Sequence, residues 1–585
     1  MRSEATFHSI LRRSLALTIG VAGFAIAWIT LFRQSDNPPE LVASPPVKVD
    51  PQILFAKWPE GRKPDLVLVL TGQSYGYLQK CGCSSPQKGG LERRYNFIES
   101  LRARGWEVVG LDVGDVPRPL PYTPTPEQTL TKYEVAMQAM KMMGYKAVGV
   151  GKEELSLPLL NGLTKYSIQK GNEYPKVHAA NIMNRKEDFP GNDGGSALTE
   201  SDILTSKSGI NVGVLSVAGA ELVLKNVDRS VTYSPKTAAI VNGILKDWKA
   251  SGKAPDVNVM LYQGPFEWTE PASNQKMDAN TAAKGFPDFH VVLCNTPDDS
   301  DAPNMPTVVN GGKTMICQVG HKGQSVGVIG IYKTAKGTEL YYQRVVMTEE
   351  FETPADKEKG HPVLKLLQDY SDTVRDNDYL SEMGKRKKLH AVQAQHKDAG
   401  FVGDNQCFVC HKEEWTEWSK TKHSHAYDAL AKIAKHPVGR NFDGECIICH
   451  TVGYEYQTGY LNEKKTPNLK NVQCENCHGP GSLHVSEETD NTKKNARLQT
   501  HKYGALLSPW KLAGKGALPS PTKFAAMVAE KDPTKREAMM TQDENRAYLS
   551  VYKTCATCHD IDNDPKFDLA AYWPNVVHTG LKKKK

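Results

Sequence analysis

The stretch VLVLTGQSYGYLQKCGCSSPQKGG, Val67 to Gly90, decides how the first half of the chain folds. An uninterrupted apolar run ends at Gly72, and a polar loop with two cysteines, Cys81 and Cys83, follows it. A short continuous apolar run closed by glycine reads as a strand. Seven further runs of the same kind follow, namely WEVVGLDVGD, YKAVGVGK, INVGVLSVAG, VNVMLYQG, FHVVLC, TMICQVG and SVGVIGIY. Between them lie amphipathic helical patterns that each close at glycine: GGLERRYNFIESLRARG, TPEQTLTKYEVAMQAMKMMG and PKTAAIVNGILKDWKASG. Alternation of this type predicts an α/β domain over residues 65–350.

The 585 residues suffice for two or three domains. Hydrophobic content of 39% and charged content of 24% are those of globular protein. The formal charge of +7 is modest, and four positives are the tail Lys582 to Lys585, so nothing suggests nucleic-acid binding. Near the start, Arg12 and Arg13 precede an uncharged apolar run, Ser14 to Phe32, long enough to cross a bilayer. Ala25-Ile26-Ala27 would suit a signal peptidase, but the apolar run continues to Phe32, so residues 1–35 read as an uncleaved N-terminal membrane anchor rather than a cleaved signal. Positive residues before the span put the bulk of the chain on the periplasmic or other extracytoplasmic side. DNPPELVASPPVKVDP, within residues 36–64, reads as a Pro-rich spacer.

Eight of the twelve cysteines form one pattern. Cys407 and Cys410 precede His411, Cys446 and Cys449 precede His450, Cys474 and Cys477 precede His478, and Cys555 and Cys558 precede His559. Cys-x-x-Cys-His is the covalent haem attachment signature: two thiols reach the vinyl groups of one porphyrin, and the adjacent imidazole reaches its iron. Zinc sites would not require the histidine after every second cysteine. Four covalently bound haem c groups are therefore expected. Spare histidines for the second axial positions are His423, His425, His436, His484, His501 and His578. HKEEWTEWSKTKHSHAYDALAKIAK has helical spacing, on which His423 and His425 point about 200° apart, so one of them faces a given haem.

FVGDNQCFVCHKEEWTEWSKTKHSHA, CIICHTVGY, KTPNLKNVQCENCHGPGSLH and CATCHDIDNDPKFDLAAYWPNVVHTG resemble the tetrahaem cytochrome c family of the hydroxylamine-oxidoreductase electron-acceptor type. The resemblance covers about residues 400–580 and implies a mainly α, haem-packed domain over 401–585. It implies His423, His484 and His578 as distal ligands and an open position on the haem of Cys446, Cys449 and His450. A stretch inserted at about 494–550 brings His501, which would close that position.

The strand ends of the first half resemble the 5′-nucleotidase-like metallophosphatase family, whose loops hold two divalent metals. The resemblance implies that six of seven ligand positions are substituted. Gln73 and Tyr75 stand for Asp-x-His, Lys152 for Asn, Gln263 for a lone His, and Asn295 and Pro297 for the last two His, whereas Asp115 remains. Glu153 replaces the catalytic His. No dinuclear metal and no catalytic residue are expected there.

Cys81, Cys83, Cys294 and Cys317 are expected near the mouth of the old site, as disulfides, as a thiolate metal site with His290 or His321, or as free buried thiols. Residues 351–400 read as a helical linker, with His361, His390 and His396 on solvated faces.

The chain reads as a membrane-anchored electron carrier whose partners are redox proteins or the quinol pool. Two alternatives are a haem enzyme that reduces a small nitrogen oxide at a five-coordinate haem, and a hydrolase acting through the N-terminal domain.

Overall fold

The computed structural model describes residues 53–578 apart from 81–85, 119–124, 158–162, 164–174, 185–197, 220–230, 235, 268–277, 299, 434–438, 508–519 and 561–562. The expected anchor, the Cys81–Cys83 pair and His436 lie outside the described residues. Among the described residues, no helix is long and apolar enough to cross a membrane.

All eight strand-like runs are strands. They are β1 (Leu66–Thr71), β2 (Val108–Asp112), β3 (Tyr145–Gly149), β7 (Asn211–Ala218), β9 (Val257–Pro265), β10 (Val291–Asn295), β12 (Thr314–Gln318) and β13 (Ser325–Thr334). Short or edge strands join them: β4 (Lys176–His178), β6 (Ser201–Thr205), β11 (Thr307–Val309) and β14 (Gly337–Val346). One six-stranded sheet has the order β14-β13-β1-β2-β3-β4 and the other β11-β12-β10-β9-β7-β6. The short strands β5 (Ile182–Asn184) and β8 (Val231–Tyr233) form a separate antiparallel pair. The inner strands β1 to β4 run parallel, as do β7, β9, β10 and β12.

The opening run shows why both sheets bury both faces. Leu66, Leu68 and Leu70 point into the layer between the sheets, where they meet Val212, Val259, Leu261 and Leu293. Val67 and Val69 point the other way, onto helices α1 (Leu91–Ala103) and α2 (Pro126–Met143) through Phe97, Ile98, Met137 and Met140. Helices α3 (Thr237–Ala250) and α4 (Ala279–Gly285) cover the outer face of the second sheet through Val241, Leu245, Trp248 and Ala282. The result is a helix–sheet–sheet–helix sandwich, in which the inner strands carry apolar residues toward both faces because neither face meets water.

Local chemistry sets the helix ends. Thr125 caps α2 by accepting from Gln128 N at 3.1 Å, Pro126 opens the first turn, and Gly144 closes it in the left-handed region. A cap of this kind contributes about 1 kcal/mol.

The linker is not a solvated helix pair. Helix α5 (Pro362–Asp376) buries Val363, Leu367, Tyr370 and Val374 in the core beside α1 and α2. Leu380 and Met383 instead join the cluster of Tyr427, Ile447, Val452 and Tyr460. His361 caps α5 through Nδ1, which accepts from Leu364 N at 3.2 Å, and its Nε2 meets Asn96. His390 caps a short helix, its Nδ1 accepting from Val392 N. Both are part-buried because helix caps sit against the elements they start.

The C-terminal region is built of short helices: α6 (Gly444–His450), α7 (Cys474–His478), α8 (Ser482–Lys493), α9 (Gln542–Ala556) and α10 (Leu569–Val576). Its apolar clusters are small.

Candidate haem-binding sites and the strand-end loops of the α/β domain

The second and third Cys-x-x-Cys-His motifs lie within the short helices α6 and α7, and the fourth begins in the last turn of α9. His411 N and His559 N donate to Cys407 O and Cys555 O, each at 2.9 Å. The ring of His411 lies 6.3 Å, centroid to centroid, from that of His484. His478 and His578 are 6.3 Å apart and His423 and His559 6.1 Å. A metal–imidazole nitrogen bond is about 2.0–2.1 Å, and each nitrogen lies about 1.1 Å from its ring centroid, so one metal between two imidazoles needs about 6.3 Å. All three pairs have that spacing. Each joins a proximal histidine to a distal histidine expected from the sequence.

Second contacts orient the rings. Nδ1 of His450 donates to Ala426 O at 2.5 Å and Nδ1 of His478 to Leu507 O at 2.6 Å. A carbonyl only accepts, so the proton is on Nδ1 and Nε2 is left to bind iron. His559 Nδ1 meets Asp564 Oδ2 at 2.8 Å. His484 Nδ1 is buried without a hydrogen-bond partner among the described residues, which suits a group that coordinates. Burial pushes His423 down to about 4 and lowers His450 and His478, holding the imidazoles in the neutral form a metal requires.

A cavity of about 390 Å³ is lined by Cys477, His478, His390, Asn476, Leu506 and Thr554, within the usual size for a cofactor site. The sulfurs of neighbouring motifs also approach one another. Cys407 lies within hydrogen-bonding reach of Cys474, and Cys449 within reach of Cys558, while Cys477 lies beside Cys555 and Cys558. Motif one therefore adjoins three, three adjoins four, and four adjoins two.

His501 does not reach the second motif. It is exposed and bonds Glu488 at 2.8 Å, beside His484. Glu487 in the same helix accepts from Lys502 N and Tyr503 N, which ties the inserted stretch down there. His425 makes no ring pair with a proximal histidine among the described residues, while His423, two residues earlier, does.

In the α/β domain the substituted positions gather at the carboxyl ends of β1, β2, β3, β9 and β10, and an amide network fills the space. Asn295 Nδ2 donates to Asp115 Oδ2 at 3.2 Å and to Gln263 Oε1 at 3.0 Å, and Gln263 Nε2 donates to Val113 O at 2.7 Å. Gln73 accepts from Thr296 N and donates to Thr296 O, and Tyr75 donates to Asp298. A side chain at Gly151 would collide with both Asp115 Oδ1 and Gln263 Nε2, so the cluster is closed. Lys152 swings out to Glu153 at 3.4 Å and is exposed. Glu154, which no sequence signal marked, accepts from the backbone of Asp115, Val116 and Gly151. Burial pushes Asp115 up to about 7 and Glu154 up to about 8. Primary amides at these positions do not supply the anionic and imidazole ligands that a pair of divalent metals needs.

Cys294 and Cys317 are free, buried and on opposite faces of their sheet. The register explains this: Cys317 pairs with Leu293, so Cys294 opposes Gln318 and points to the helix layer. His290 instead accepts from Asn258 N, and His321 meets Asp298 O. These two cysteines and two histidines form no common site.

The two halves meet at a buried charge cluster. Glu445, in the first turn of α6, bonds Lys132 of α2 at 2.6 Å and Arg118, beyond Asp115, at 3.0 Å. Asp443 bonds Lys132 at 3.0 Å.

Residues 406–479 match the family described as cytochrome c554 and c-prime. Cytochrome c-554 of Nitrosomonas europaea is 34% identical over 103 residues, which cover 16% of this chain and 44% of that protein. The match thus spans under half the length of that relative. The α/β half resembles solved structures at low identity. The 5′-nucleotidase precursor of Thermus thermophilus is 18% identical at a TM-score of 0.42, covering 53% of this chain and 59% of that one. The NAD nucleotidase of Haemophilus influenzae is 14% identical at a TM-score of 0.39, covering 54% and 60%.

Proposed function

We propose that the chain is a tetrahaem c-type cytochrome that passes electrons between redox proteins, or between the quinol pool and a redox protein. Residues 14–32 anchor it in the cytoplasmic membrane, and the bulk lies on the extracytoplasmic side. The observation that carries this reading is the set of three histidine ring pairs at 6.1–6.3 Å beside attachment motifs. Haem iron, when bound, supplies a one-electron couple. The chain supplies the axial imidazoles, the carbonyl and carboxylate acceptors that orient them, and a low-dielectric surround. The adjacency of the sulfurs supports transfer from motif one through three and four to two. The α/β domain has no hydrolytic role in this reading, because amides fill its ligand positions, and it serves as a docking module.

A second reading, reduction of a small nitrogen oxide at the haem of Cys446 and Cys449, is favoured by the placement of His501. The histidine that would close that iron is held at Glu488 instead. Expression with a c-type haem maturation system, followed by mass spectrometry and by absorption and paramagnetic resonance with and without nitric oxide, tests both. Four haems per chain, all low-spin and indifferent to the gas, mark an electron carrier. One high-spin haem that binds the gas favours the second reading, and fewer than four haems refutes the tetrahaem assignment.

A further inference from the structure

The helix that carries the second attachment motif is held by the α/β domain as well as by its own region, where Ile447 packs against Tyr427, Val452 and Tyr460. Asp443 occupies the N-cap position of α6, where an Asp side chain ordinarily accepts from the first-turn amides, yet its side chain makes no capping bond. Its oxygens are turned to Lys132 at 3.0 Å, Gln128 at 3.3 Å and Tyr370 at 3.3 Å. Glu445, one residue before Cys446, takes Lys132 and Arg118. Lys132 is 1% exposed, and Glu445 and Arg118 are 11% and 13% exposed. Lys132 and Arg118 therefore face Asp443 and Glu445 in a site shielded from water, with Arg440 also acting on Glu445 and His450, and each charge there acts strongly on its surroundings.

One cation, Arg118, comes from a strand-end loop of the α/β domain, and the other, Lys132, from helix α2. Arg118 follows the Asp115 loop, and Lys132 Nζ also lies 3.3 Å from Gly76 O in the Gln73–Tyr77 loop. Gly76 has φ of +70°, and a Cβ there would come within 2.8 Å of Arg118 Cβ, so the two loops need glycine to pack. The part of the domain nearest its former catalytic centre has become the seat of α6.

We propose that Lys132 and Arg118 are positioning residues for the haem of Cys446, Cys449 and His450, and that their balance with Asp443 and Glu445 sets its reduction potential. The proposal rests on the tetrahaem reading and gives the α/β domain a function inside the chain. Removing a cation makes the charge beside the helix more negative and favours ferric iron. Removing a carboxylate favours ferrous iron.

The experiment is a spectroelectrochemical titration of the full-length holoprotein as wild type, Lys132→Met, Lys132→Arg and Glu445→Gln, with haem content counted by mass spectrometry. The signal lost from a Cys446→Ala, Cys449→Ala variant identifies the second haem. The expected result is a lower midpoint for that haem in Lys132→Met, a higher one in Glu445→Gln, near wild-type behaviour in Lys132→Arg, and three unmoved partners. Should Lys132→Met fail to fold, Arg118→Gln carries the same sign test. Unmoved midpoints overturn the proposal, as do shifts of the same sign in both variants, which would reflect a loosened helix. A wild-type chain without haem at Cys446 and Cys449 overturns the tetrahaem reading and this proposal with it, and the mass alone reveals that failure.

Discussion

Nδ1 of His559 lies 2.8 Å from Asp564 Oδ2, a carboxylate contact, whereas Nδ1 of His450 and of His478 meets a backbone carbonyl. A carboxylate pulls harder on the imidazole proton than a carbonyl does and makes the other nitrogen a stronger donor to iron. Asp564→Asn is therefore expected to raise the midpoint of the fourth haem. A charge-assisted hydrogen bond is worth roughly 1.5–3 kcal/mol, and a tenfold change in a one-electron couple is about 59 mV, so the shift is on the order of 50 mV. Redox titration of the variant checks it, and a fall in potential would contradict this account.

The ring pairs make a sharper spectroscopic claim. His423→Ala removes the partner of His559, and one haem in four is expected to become high-spin. His425→Ala, two residues away, should leave every haem low-spin that was so in the wild type. Paramagnetic resonance of both variants distinguishes the two neighbours.

Asp115 and Glu154 predict a pH effect on stability. Burial raises both carboxyls, to about 7 and about 8. The folded state thus keeps protons that the unfolded chain releases above about pH 4. Stability contributed by the protonated forms is present below that value and is lost as pH rises through the folded-state values. Asp115→Asn is expected to flatten the decline between about pH 4 and 7 by on the order of 2–4 kcal/mol. Denaturant melts at several pH values measure the slope, and an unchanged slope would show that Asp115 is ionised in the fold.

Calorimetry with manganese or zinc should detect no tight site in the α/β domain, and phosphatase assays with these ions should stay at background. Metal-dependent turnover that is abolished by Asp115→Asn would restore the hydrolase reading.

Burial raises the thiols of Cys294 and Cys317, the latter to about 12. Neither should react with a thiol reagent until the chain unfolds. Cys317→Ser places a hydroxyl between the sheets and is expected to cost about 1–3 kcal/mol, read from a denaturation midpoint.

The sequence by itself determined the strand runs and the attachment motifs. Each is a local pattern: continuous apolar residues where both faces are buried, two thiols and an imidazole in one turn, a glycine at a helix end. Gln263 and Asn295, read in sequence as substituted ligand positions, are amides whatever surrounds them. What fills that space was legible only in three dimensions, because Gln73, Asp115, Gln263 and Asn295 come from separate strands that the sheets bring together. Glu154 carried no mark for the same reason: its role is to accept three backbone amides of loops distant in the chain. The cysteines expected together are apart, because strand register turned Cys294 and Cys317 to opposite faces. Tertiary structure alone decided that His501 stays with Glu488, and that Lys132 and Arg118 hold the second motif. Buried charges must find opposite partners wherever the packing offers them, and sequence distance does not limit which ones.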